Sequence, residues 1–110
     1  MNDPKLYAEN LSTQLRKGFL SYCVLRVCTD SAKYTSEIIK RLQSAELVVV
    51  EGTIYPLLSR LQKDGLLSHE WQESDQGPPR KYYRTTRLGQ EVAAYIAKDI
   101  TALNKTITKL

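Results

Sequence analysis

The chain has 110 residues, 42% of them apolar and 25% charged, with few Gly and Pro. That is enough for one domain with one modest core, too little for two domains, and unlike the composition of a disordered chain. Sixteen Lys and Arg against twelve Asp and Glu leave a net charge of +4, which permits a nucleic-acid or membrane-surface partner without requiring one.

No apolar run approaches the roughly 18 residues of a membrane helix, and the opening MNDPKLYAEN lacks the basic region and apolar core of a signal peptide. The expectation is a cytoplasmic protein with no membrane partner. Residues 1–9, with Pro4 and little periodicity, read as a loose arm or a short extra helical turn. From Asn10 to about Cys28, Leu11, Leu15, Phe19, Leu20, Cys23, Val24 and Val27 fall at helical spacing and predict a first helix with one buried stripe. Cys23 and Cys28 point to different sides of that helix, so they are read as small core residues and not as a disulfide. Free thiols fit a reducing compartment. The segment TDSAK breaks the pattern, after which Thr35 or Ser36 is expected to cap a second helix turned inward through Ile38, Ile39 and Leu42. SAELVVV reads as a connection.

The next segment, EGTIYPLLSRLQKDGL, predicts a short helix bounded at both ends. Thr53 is the expected N-cap, Pro56 falls in the first turn, and Gly65 is the expected residue just past the end. With Ile54, Leu57, Leu58 and Leu61 inward, Thr53, Tyr55, Ser59, Arg60 and Lys63 occupy the remaining arc as donors suited to phosphates and base edges. The plain alternative is that Arg60 and Lys63 belong to an ordinary solvated face.

LLSHEWQ and RKYYRTT, flanking ESDQGPP, predict two antiparallel strands joined by a long turn. Between Pro78 and Arg87 stand Arg80, Lys81, Arg84 and Arg87 and no acid. Alternation puts Arg80, Tyr82 and Arg84 on one face and Lys81, Tyr83 and Thr85 on the other, so one tyrosine can pack inward while bases outside reach phosphate. Arg84 and Arg87 have the competing option of pairing with acids such as Glu91. His69 stands alone, which argues against a metal site. Trp71 is read as a packed aromatic, with a ligand platform as its second reading.

Thr86 begins a last helix in which Val92, Ile96, Ile100, Leu103, Ile107 and Leu110 form an apolar seam. No other helix remains to cover it fully, so a second copy is the expected cover, and Tyr95 packs at that seam or lines a pocket beside it. With a single His and no nucleophile at a suggestive spacing from a base, the chain is not read as an enzyme, and no cofactor or metal is expected.

Three helices followed by a β-hairpin is the order of a winged helix-turn-helix, in which the third helix enters the major groove and the hairpin follows the DNA backbone. EGTIYPLLSRLQKDGLL and GPPRKYYRTTRLG, with their separation, resemble the PadR-like family of bacterial transcriptional regulators over residues 15–90. The family's Gly–Tyr before the second helix is absent, since KYTSEI has Thr35 and Ser36 there. The single C-terminal helix resembles the small subgroup in which that helix makes the dimer. What the resemblance implies is a homodimeric repressor on a palindromic operator in double-stranded DNA, often released by a small aromatic or drug-like ligand.

The expected fold is therefore mainly α (α+β): a winged helix-turn-helix over 1–85 with an N-terminal arm, then a dimerisation helix over 86–110. The expected DNA-binding residues are Thr53, Tyr55, Ser59, Arg60, Lys63, Arg80, Lys81 and Arg84, and the expected interface residues are Val92, Tyr95, Ile96, Ile100, Leu103 and Ile107. Trp71 and Tyr95 are the expected ligand contacts. The competing function is a winged-helix protein-interaction module without DNA affinity, suggested by the modest net charge and the acidic ESD beside the basic strand. Charge reversal at Arg60 and Lys81 separates the two, because only DNA binding would be lost.

Overall fold

The computed structural model describes residues 3–110, which form four helices and one antiparallel sheet in the order α1 (Pro4–Val27), β1 (Lys33–Tyr34), α2 (Thr35–Ser44), α3 (Glu51–Lys63), β2 (Leu67–Ser74), β3 (Gly77–Thr85) and α4 (Arg87–Lys109). The sheet order is β1-β3-β2. Mainly α with a small sheet, it is the expected winged helix-turn-helix.

The core lies where α1, α2, α3 and the sheet converge. Val24, Leu25 and Cys28 meet Ile38, Ile39 and Leu42 of α2, the inward face Ile54, Leu57, Leu58 and Leu61 of α3, Leu67, Tyr83 and Ala93. Each large aliphatic side chain removed from water here stabilises the fold by about 1.5–3 kcal/mol. Thr85 ties the end of β3 to α1: its Oγ1 donates to the Leu25 carbonyl at 2.7 Å and its N–H to the Cys28 carbonyl at 3.0 Å. Gly65 takes the left-handed φ of +81° just past α3, as expected of a C′ glycine. Thr86 caps α4 by accepting from the Gly89 N–H at 3.0 Å and donates to the Gly65 carbonyl at 2.7 Å.

Several expectations are corrected. The arm is largely helix: Asp3 accepts from the Lys5 N–H at 3.0 Å and Pro4 takes the first helical position, a combination that favours a helix start. Met1 and Asn2 of the expected arm lie outside the described residues. The stripe of α1 is buried only toward its C-terminal end, while Leu11, Leu15 and Phe19 are exposed. Residue Tyr34, not Thr35 or Ser36, is the N-cap of α2, and its N–H donates to Glu37 Oε1 at 3.1 Å. Helix α3 begins two residues before Thr53, capped by Val50, whose carbonyl accepts from the N–H groups of Thr53 and Ile54. Pro56 thus lies inside the helix and leaves the Gly52 carbonyl without its helical donor. The hairpin turn is short, Asp75–Gln76, because Gly77, Pro78 and Pro79 already belong to β3; the two prolines sit at a register shift opposite Gln72–Ser74, where a missing N–H is tolerated. Strand β1, two residues long, pairs Lys33 with Tyr83 and Tyr34 with Tyr82.

Candidate nucleic-acid interface

Helix α3 is fixed by its buried face, and what it leaves outside is polar. Thr53, Tyr55, Ser59, Arg60 and Lys63 are all exposed, on the arc opposite Ile54, Leu57, Leu58 and Leu61. The only ion pairs among the described residues are Lys33 with Asp30 at 2.7 Å and Arg87 with Glu91 at 3.8 Å. The charges of Arg60, Lys63, Arg80, Lys81 and Arg84 are therefore uncommitted in this fold, whereas Arg87 takes the acid partner anticipated as its alternative.

Strand β3 alternates, and of the two faces it is that of Tyr83 and Thr85 which turns inward: Tyr83 is 6% exposed and Thr85 is buried. Lys81 Nζ lies 5.3 Å from the Tyr83 ring centroid. Tyr82 meets the Tyr34 ring edge-on at 5.2 Å, and the Arg80 guanidinium stands 4.4 Å from the Tyr34 centroid. Arg84 is exposed, and its carbonyl accepts from Ser68 Oγ across the hairpin at 3.4 Å.

Two hollows connect these elements. One, of about 310 Å³, is lined by Tyr34, Thr35, Ser36, Tyr55, Arg80 and Lys81, so the start of α2, the outer face of α3 and the wing share one concave surface. The other, of about 360 Å³, lies between α1 and α3 and brings Lys17 and Ser21 beside Thr53, Pro56 and Arg60. Sequence reasoning did not select Tyr34, Thr35, Ser36 or Ser21 for this surface. A strand of two residues leaves no alternation to detect, and it is that strand which carries Tyr34 to the wing.

The seam residues of α4 divide. Val92 packs on the chain's own core, Ile96 and Ile100 are half-buried, and Leu103 and Ile107 are exposed. An apolar groove of about 640 Å³ runs between α1 and α4, with Leu15, Phe19, Ile96, Ile100, Leu103 and Ile107 along it. Leu15 and Phe19, expected in the core, are thus part of one open apolar surface with the seam. Trp71 is 64% exposed, with its ring edge-on to His69, and Tyr95 is 73% exposed; neither lines the groove. Both cysteines are free, and burial pushes the Cys28 thiol up to about 12 and raises Cys23 as well. Among the described residues no helix is long and apolar enough to cross a membrane.

Residues 24–95 match the family model described as the transcriptional regulator PadR-like family. A PadR-like transcription factor from Bacteroides fragilis is 47% identical, with a TM-score of 0.78 over 91% of this chain and 97% of that one. A PadR family transcriptional regulator from Eggerthella lenta superposes at a TM-score of 0.84 with 30% identity, over 96% of this chain and 92% of its own. A PadR-like transcriptional regulator from Bacillus cereus is 33% identical at a TM-score of 0.75, covering 87% and 94%.

Proposed function

This chain belongs to the PadR-like family of transcriptional regulators, and from that premise we propose that it is a homodimeric repressor that reads a palindromic operator through α3 and holds the DNA backbone with its wing. One observation carries the assignment of residues: Tyr55 of α3 shares a concave surface with Arg80 and Lys81 of the wing, and neither base is paired with an acid. Side-chain hydroxyls and uncommitted cations on adjoining elements suit a duplex, whose phosphates fix register while base edges in the major groove give sequence. Thr53 and Arg60 line the neighbouring hollow against α1, and Ser59, Lys63 and Arg84 are exposed further along α3 and the wing; we assign all five to the same DNA contact.

The second copy covers the groove between α1 and α4. Ile96, Ile100, Leu103 and Ile107 are the seam, with Tyr95 beside it, and the apolar character of the groove supports this. On this reading the winged part up to residue 85 binds DNA, and α4, joined by Leu15 and Phe19 of α1, holds the two copies together. A planar apolar compound is the proposed releasing signal, supported by the exposed rings of Trp71 and Tyr95.

Fluorescence anisotropy against the DNA upstream of the protein's own gene, at two salt concentrations, tests this beside the Arg60→Glu variant. Tight binding of the wild type that falls steeply with salt, and its loss in the variant, is the expected result. Aromatic compounds added to the complex should release the DNA. Equal, weak binding by both proteins would overturn the assignment of Arg60.

A further inference from the structure

We propose that Tyr34 is a positioning residue for DNA binding, and that the hollow around it takes one backbone phosphate of the duplex between Arg80, Lys81 and the hydroxyls of Thr35, Ser36 and Tyr55. The proposal rests on the DNA-binding reading above.

Tyr34 is held from three directions. Its N–H donates to Glu37 Oε1 at 3.1 Å, its backbone pairs with Tyr82 in the sheet, and the Tyr82 ring meets its own ring at 5.2 Å and 70°. The Arg80 guanidinium lies 4.4 Å from the centroid of that fixed ring. Stacking occupies the face of a guanidinium and leaves its N–H edges free for the bidentate contact that phosphate oxygens favour. An arginine on an exposed hairpin otherwise loses much rotamer freedom on binding; one already laid on a ring loses less.

Arg80 also stands between two different hollows. On one side are Tyr55, Thr35, Ser36 and Lys81, with no acid among the lining residues; on the other, Glu73 and Asp75 at the wing tip. No ion pair joins Arg80 to either acid. The Tyr34 ring lines both hollows, and by holding the guanidinium over itself it keeps Arg80 at the edge of the Lys81 and hydroxyl side and unpaired with its acidic neighbours. Without the ring, Arg80 is free to turn to Glu73 or Asp75, and the phosphate loses a donor.

Because a phosphate contact is independent of base sequence, the test uses a duplex of arbitrary sequence, with affinity followed against salt. Arg80→Gln and Tyr34→Leu should each flatten the slope of log affinity against log salt by about 0.9, the loss of one phosphate contact. The double variant should lose no more than either single. Tyr34→Phe, which keeps the ring, should retain the wild-type slope. Arg80→Lys keeps the charge and leaves Tyr34 untouched, so it is expected to weaken binding without unfolding the protein; this arm stands even if Tyr34→Leu does not fold. A folded Tyr34→Leu protein with the wild-type slope overturns the proposal, whether or not its affinity falls, and so does an Arg80→Lys protein that binds as the wild type does. A wild type without salt-dependent affinity for any duplex would instead remove the DNA-binding reading itself.

Discussion

Arg80 and Arg87 carry the same charge on neighbouring stretches of chain and stand in different company. Arg87 has Glu91 one helical turn away at 3.8 Å, while Arg80 has an aromatic face and no acid partner. An i, i+4 pair is legible in a sequence because helical geometry guarantees the approach. The contact of Arg80 with Tyr34 is not, because it joins residues far apart in the chain through a pairing of two residues. Cys28 shows the same limit from the other side. It was read as a small core residue, and the structure adds the consequence: burial disfavours the thiolate and pushes the pKa up to about 12. At neutral or mildly alkaline pH the group is therefore a protonated, enclosed thiol. In the native protein Cys28 should react with a disulfide reagent no faster than the protein opens, and rapidly once denaturant is added; a fast native reaction at Cys28 would contradict the burial.

Elements were legible where their signals are local. Gly65 and Thr86 bracket the hairpin with a C′ glycine and an N-cap, and the alternation in RKYYRT separated Tyr82 from Tyr83 without saying which of them packs inward; the structure buries Tyr83. The start of α3 was misplaced because Thr53 is a good capping residue by type, yet the helix begins earlier with Val50 as its cap. The first turn of α4 shows packing overriding propensity. Alanine is favoured over glycine within a helix by about 1 kcal/mol, but a Cβ on Gly89 would fall on the Leu66 carbonyl and stand 2.7 Å from Thr85 Cγ2. Backbone and a buried threonine have little room to yield, because the Thr86 N–H bonds the Leu66 carbonyl at 3.0 Å and Thr85 is tied to α1. Gly89→Ala should lower stability by about 1–3 kcal/mol, read from the midpoint of urea unfolding. A midpoint unchanged or raised would show that this junction is looser than the structure has it.

At the scale of the whole molecule, one chain leaves an apolar surface open along the middle of α1 and the far end of α4. Leu15, Phe19, Leu103 and Ile107 are exposed there, and the molecule extends 52 × 33 × 24 Å. The α4 part of this surface was legible, since its seam had no partner left in the chain. The α1 part was not, because a helical stripe reads the same whether its cover comes from its own domain or from another copy. On the proposed two-fold arrangement the two α3 helices enter successive major grooves, with half-site centres about 34 Å apart. Replacing Ile100 by Asp would set a charge in that seam at high cost and separate the copies. A hydroxyl-radical footprint on the upstream DNA tests this most directly. Two protected patches one helical turn apart, both lost together in Ile100→Asp, are the predicted result; a single patch, or two that survive in the variant, would contradict a dimer reading DNA through paired α3 helices.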